Sequence, residues 1–238
     1  MGTFNTSWKE LRTSVKNCLF TECPRNNKEK LPIFFDRNEN SLSNVKFFVV
    51  SQEPAAYLRR EYQSSNEIEE YAIYECGSNP NPNRVGIPHK IREIFNKRFD
   101  LKTDEIYWTH ALKCVPMKED TDIIKEWRMC AFWCVNHFKN ELNLIPSEQL
   151  IIVAIGNYAL TLCKHILEGE KLSHTEGIIQ YIRNIDLEKK FHLCEKEISL
   201  FPFIHPSKRE MILKQYDRND EVKKKEKKII DRIRQFKQ

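Results

Sequence analysis

Three short stretches carry side chains able to do chemistry: "SQEP" at residues 51–54, "THALKC" at 109–114 and "HPS" at 205–207. Each follows a run of apolar residues, so each is held out at the end of a buried element. Glu53 offers a carboxylate that can activate water or stabilise a developing cation, and Gln52 beside it offers an amide. His110 and His205 offer imidazoles, and a neutral imidazole can donate a hydrogen bond to a leaving group. A carboxylate, an amide and a histidine brought to one place are what hydrolysis of a glycosidic bond requires. Taken singly each has a plainer use: a carboxylate before a helix is favoured by the dipole, and a histidine before proline is an ordinary turn residue.

The cysteines form a second constellation. Cys114 and Cys130 are sixteen positions apart, and Cys18 and Cys23 lie near the N-terminus. Two local pairs closing over a distance suit a four-iron four-sulfur cluster, in which each iron takes one thiolate. Structural zinc is the less favoured occupant. Cys134, one helical turn after Cys130, could take its place, whereas Cys76, Cys163 and Cys194 read as small core residues. Either metal would be structural. Eight cysteines in a chain of reducing surroundings argue for metal binding or burial over a disulfide framework.

The elements that must position these groups are legible in the apolar runs. "VKFFVV" at 45–50, "EIYWT" at 105–109 and "QLIIVAI" at 149–155 are too short and too rich in β-branched and aromatic residues for helices, and read as central strands. Helical spacing marks 8–18, through Trp8, Leu11 and Val15, and "HKIREIFNKRF", through Ile91, Ile94 and Phe95. It also marks 121–143 and "NYALTLCKHIL", while "CGSNPNPNRVGIP" at 76–88 concentrates turn formers. Residues 178–204 read as two shorter strands, the second being "ISLFPFI". Strand alternating with helix implies a parallel sheet covered on both faces, with ligands at the carboxyl ends of the strands.

At 238 residues, 40% hydrophobic and 11% aromatic, the chain can fill one large core. No run approaches the ~18 apolar residues of a membrane span, and the N-terminus does not have the pattern of a secretory signal. A cytoplasmic monomer with no membrane association is therefore expected. The net charge of +5 is concentrated: residues 208–238 hold twelve Lys and Arg against six Asp and Glu. In that tail Val222, Ile229, Ile230, Ile233 and Phe236 fall on one helical stripe with lysines opposite, so a domain over 1–217 is followed by a basic amphipathic helix over 218–238. Such a helix suits DNA phosphates, or a solvated face packed on the domain.

Over roughly residues 15–215 the order of these motifs resembles the uracil-DNA glycosylase superfamily, in particular its iron–sulfur branches. Members have a strand ending in Gly-Gln-Asp-Pro or Gly-Glu-Ala-Pro where "SQEP" stands, and a strand running into TNxxKCxPP where "THALKCVPM" stands. A long helix with a further cysteine, an apolar strand, Gly and a helix follow, then His-Pro-Ser, here "PFIHPS". The resemblance implies a three-layer α/β/α fold on a mainly parallel four-stranded sheet. It implies a monofunctional glycosylase that flips a pyrimidine nucleotide out of DNA and leaves an abasic site, or, alternatively, an iron–sulfur module that recognises modified DNA without cutting it.

Carried over residue by residue, Glu53 stands where an Asp positions or activates water. Gln52, with Ser51, Pro54 and Ala55, surrounds the base; Tyr57, Tyr71 and Tyr74 are the aromatic rings available to stack on it. His205 would hydrogen-bond the base carbonyl, Ser207 a phosphate, and Lys208 and Arg209 would extend toward the DNA backbone. The resemblance also implies Cys18, Cys23, Cys114 and Cys130 as cluster ligands, although the first pair here is Cys-x-x-x-x-Cys where members usually have Cys-x-x-Cys. His110 stands where uracil readers usually have Asn, and imidazole lacks that amide's adjacent donor and acceptor. Ala55 does not block the 5-position of the ring, as a Tyr does there in the strictest uracil enzymes. The substrate is then uracil or a 5-modified cytosine such as the hypermodified bases of phage DNA, in repair or in anti-phage defence.

Overall fold

The computed structural model describes residues 7–23, 39–52, 97, 99–114, 123–172, 177–205 and 219–236. Its centre is a sheet whose strands are β1 (Phe47–Ser51), β2 (Ile106–His110), β3 (Gln149–Ile155), β4 (Phe191–Leu193) and β5 (Lys196–Phe203). The spatial order is β2-β1-β3-β5-β4. The first four in that order are mutually parallel, and β4 pairs antiparallel with β5. The expected four parallel strands are all present, and the short β4 adds a fifth at one edge.

The parallel strands are buried on both faces, which is why they are continuous apolar runs with no polar alternation. Tyr107, Phe48, Ile152 and Leu200 are in register across the sheet and share a face. On that face Phe48 stacks on Tyr107 at 5.0 Å between centroids and meets Phe138 edge-on at 5.1 Å. Phe138 belongs to helix α2 (Ile123–Leu144), whose residues Trp127, Cys130, Ala131, Cys134, Phe138 and Leu142 are buried at three- and four-residue intervals. On the opposite face Phe99 packs against Phe203. Each such side chain, fully buried, contributes about 1.5–3 kcal/mol.

Helix α1 (Trp8–Lys16) starts with a capping box in which the Ser7 hydroxyl accepts from the Glu10 N–H and the Glu10 carboxylate accepts from the Ser7 N–H. It buries Leu11 and Val15 and packs on α2. Beyond it the chain runs back along α2, where Phe20 stacks on Trp133 at 4.9 Å. Helix α3 (Asn157–Glu168) follows β3 directly.

Residues 178–204, expected as two shorter strands, do hold two, β4 and β5, but 178–184 form helix α4 (Ile178–Asn184). Ile178, Ile179 and Ile182 bury one helical face, and the Asn157 side-chain oxygen accepts from the Ile178 N–H at 2.8 Å, satisfying one of the helix's open donors. Helix α5 (Asn219–Gln235) lies against α4, burying Val222, Ile229 and Ile233, with Ile230 and Phe236 half-buried, as the stripe in the sequence requires. The expected turn region 76–88 and the helix through Ile91 and Ile94 lie outside the described residues. Among the described residues no helix is long and apolar enough to cross a membrane.

Candidate active site

The chain leaves β1 for β2 on one side and then returns to place β3 on the other, so the sheet order reverses at β1. In open parallel sheets such a reversal opens a crevice at the carboxyl ends of the strands, because the two connections diverge there. Ser51 and Gln52 stand at the carboxyl end of β1, at the reversal point. His110 ends β2 as the register partner of Ser51. His205 lies two residues past the end of β5. Successive strands are ~4.8 Å apart, so His110 and His205 are separated by three gaps, about 14 Å, with the β1 exit between them.

The rim is tied together by backbone. The Ser51 carbonyl accepts from the Ala111 N–H at 2.7 Å and the Gln52 carbonyl from the Leu112 N–H at 3.1 Å, so the β1–β2 ladder continues past the last strand residues. The Ser51 hydroxyl donates to the Thr109 carbonyl at 3.2 Å, which engages it in the backbone. On the other side the Gly156 N–H donates to the Phe203 carbonyl at 2.9 Å. Gly156 has φ +85° and ψ 169°, a conformation that only glycine adopts freely, and a Cβ there would lie 3.9 Å from His205 Cβ. The turn from β3 into α3 therefore runs beside the backbone that carries His205.

His110 is half-buried, and burial, with the positive charge of Lys113 second, lowers its pKa from 6.5 to about 3. The ring is a neutral imidazole at physiological pH. Beneath it, on the α2 side of the sheet, Lys113 and Glu141 form an ion pair at 2.5 Å with both side chains 2% exposed. The Lys113 ammonium also donates to the His110 carbonyl at 2.8 Å, and Thr109 and Tyr107 donate hydroxyl hydrogens to Glu141 at 2.8 and 3.2 Å. Burial raises the Glu141 carboxyl above its ordinary range, with Lys113 and the two hydroxyls opposing it. Sequence reasoning missed this network. Its signal was present: Glu141 falls on the apolar stripe of α2, three residues after Phe138 and one before Leu142, where a carboxylate needs a buried partner.

The cysteines gather further toward the N-terminus of α2, on the same buried stripe as Glu141 and beside the Lys113 backbone. Cys23 Sγ lies 3.6 Å from Cys130 Sγ. Cys18 and Cys23 are near enough to Cys134 to act on its thiol, which burial pushes up to about 11 while a hydrogen bond from the Lys113 backbone N–H pulls it back. Cys114 follows Lys113 directly. Four soft donors from the α1 exit, the β2 exit and α2 thus come from the segments that a bound thiolate centre would have to join, and their chemistry fits iron–sulfur or zinc. Cys163 is fully buried and Cys194 half-buried, in the core roles expected for them. Among the described residues no group of three or more His, Cys, Asp or Glu is placed so that it could hold a metal ion.

Glu53, Pro54, Ala55, Tyr57, Tyr71, Tyr74, Cys76, Ser207, Lys208 and Arg209 lie outside the described residues.

The sequence model of the uracil DNA glycosylase superfamily matches residues 34–232, most of the chain and every strand of the sheet. The chain belongs to that superfamily. A search of curated proteins finds no match. Superfamily members are DNA glycosylases, and the five-stranded, mostly parallel sheet with its flanking helices is consistent with their fold. Cys114 and Cys130 fall within the matched segment, whereas Cys18 and Cys23 precede it.

Proposed function

We propose that this superfamily member is a monofunctional DNA glycosylase that takes a flipped uracil or 5-modified cytosine nucleotide and hydrolyses its N-glycosidic bond. The observation that carries the reading is the common rim at the carboxyl ends of β1, β2 and β5, on which Ser51 and Gln52, His110 and His205 stand, with the sheet order reversing at β1. Glu53, the next residue after Gln52, takes a proton from water as the water oxygen bonds to C1′ of the deoxyribose. The C1′–N bond breaks, its electron pair leaves with the base, and His205 donates a hydrogen bond to the base oxygen on which that charge develops. The carboxylate also stabilises the positive charge on the sugar in the transition state.

His110, neutral because of burial and Lys113, offers one donor and one acceptor pointing in different directions. It cannot pair side by side with the uracil edge as an amide does, which favours a base with a different edge or an added 5-substituent. A 5-modified cytosine, as in phage DNA, is such a base. Ser207, Lys208 and Arg209 meet the phosphates beside the flipped nucleotide.

Cys18, Cys23, Cys114 and Cys130 would hold a four-iron four-sulfur cluster whose contribution is structural, joining the N-terminal segment to α2 and the β2 exit. Lys113 is the lysine of the second motif, and its engagement by Glu141 supports a reaction without a Schiff base.

The test is incubation of the protein with single- and double-stranded DNA carrying uracil, 5-hydroxymethylcytosine or its glucosylated form, followed by detection of free base. Glu53→Gln should abolish release while leaving DNA affinity within about twofold. Tight binding with no release from any substrate would favour the non-cutting reader.

A further inference from the structure

Outside the rim, the largest exposed concentration of like charge among the described residues is on α5. Between its acidic first turn, Asp220 and Glu221, and Asp231, four lysines are exposed: Lys223, Lys224, Lys227 and Lys228. They lie opposite the buried stripe of Val222, Glu226, Ile229 and Ile233, so the helix is fixed on the domain and cannot turn this face inward. Lys223 stands one turn from Lys227, and Lys224 one turn from Lys228. Like charges at that spacing repel by a few tenths of a kcal/mol per pair. The ion pairs that anchor α5 use other residues, Glu221 with Arg183 and Arg232 with Glu188, and none among the described residues involves these four lysines. Packing thus holds in place a face that is electrostatically unfavourable by itself.

The position of that face says what would relieve it. Helix α4, on which α5 lies, begins at the rim: its first N–H is bound by Asn157, next to Gly156, which in turn lies beside His205. Arg183, where α5 makes its first ion pair, is five residues further along α4, a rise of about 7.5 Å. The lysine face is thus carried on the helix that packs against α4, and it looks outward from the domain rather than into the rim. A surface of four free ammonium groups, one turn apart, complements a polyanion with regularly spaced charges.

We propose that Lys223, Lys224, Lys227 and Lys228 form a second DNA-backbone contact, which grips phosphates of the duplex beyond those held at the rim. The inference rests on the glycosylase reading for its partner but not for its test. The four-fold variant Lys223→Gln, Lys224→Gln, Lys227→Gln and Lys228→Gln changes only exposed positions and keeps good helix formers. Its affinity, and that of the native chain, would be measured against salt on a duplex of about two helical turns and on a trinucleotide long enough only for the rim.

Each phosphate neutralised by a lysine adds about 0.9 to the slope of log affinity against log salt, so removing all four ammonium groups should lower the slope by roughly 3–4 on the duplex. At about 0.1 M salt that corresponds to a loss on the order of a thousandfold. Trinucleotide affinity and the rate of base release at saturating duplex should be unchanged. A slope reduced by less than about one unit, or an equal loss on the trinucleotide, overturns the proposal. If the native chain releases no base from any DNA, the glycosylase reading fails, and the slope still decides this surface.

Discussion

Glu141→Leu leaves the Lys113 ammonium, 2% exposed, with only the His110 carbonyl and the Thr109 hydroxyl for partners. Removing one member of a buried pair costs about 3–5 kcal/mol, because the remaining charge is neither solvated nor paired. Lys113→Met is not its mirror image. The stranded Glu141 can take up a proton, and burial already raises its pKa. With the lysine gone, the native state holds that proton to higher pH than the unfolded chain, whose glutamates titrate near ~4.3. The sign follows: this variant is least impaired below that value and loses stability as pH rises toward neutrality. The double variant carries no buried charge. It forgoes four hydrogen bonds, from Tyr107 and Thr109 to Glu141 and from Lys113 to Thr109 and the His110 carbonyl, at about 1 kcal/mol each, partly offset by apolar packing. Its net cost should be about 1–3 kcal/mol, well below the sum of the single changes. Urea denaturation of the native chain, both single variants and the double variant at pH 5 and 7 measures all of these quantities. Single variants that each cost under about 1 kcal/mol, or a double variant whose cost equals their sum, would refute the argument.

Three further outcomes are expected. His110 is neutral in the fold with its pKa near 3 against 6.5 for the free side chain, so its share of stability is complete above pH 6.5 and is lost as pH falls toward 3; His110→Asn should flatten that acid limb in denaturation curves. Gly156→Ala should cost about 1–3 kcal/mol from backbone strain alone, since the new Cβ meets His205 only at ordinary contact distance, and base release should fall further than the thermal midpoint explains. Cys23→Ser and Cys130→Ser should each lower iron and acid-labile sulfide in the purified protein, while Cys163→Ala, a buried position in α3, should leave both unchanged.

The four parallel strands were legible because burial on both faces removes the polar alternation that complicates other strands: "FFVVS" and "QLIIVAI" have no other comfortable state. The segment "IIQYIRN" was not, since its isoleucines have high strand propensity; the helix is decided by tertiary burial of Ile178, Ile179 and Ile182 and by the Asn157 cap, twenty-one residues away. At the site, the strand ends showed which residues emerge but not their neighbours. Sequence order does not say that β1 separates β2 from β3, and that arrangement alone puts Gln52 between the two histidines. Lys113 was visible only as a motif letter, because its partner Glu141 lies twenty-eight positions away on another element.

The strand order also bears on how the molecule is made. β3 is synthesised long before β5, which pairs with its outer edge, and β5 is the strand that delivers His205. A nascent chain that has emerged through α4 therefore presents the apolar edge of "LIIVAI" without its neighbour, a template on which other chains could add. Ribosome stalling or truncation before Lys196 should thus yield aggregates rather than a soluble, merely inactive fragment, and the last parallel strand serves as the protein's protection against self-association during its own birth.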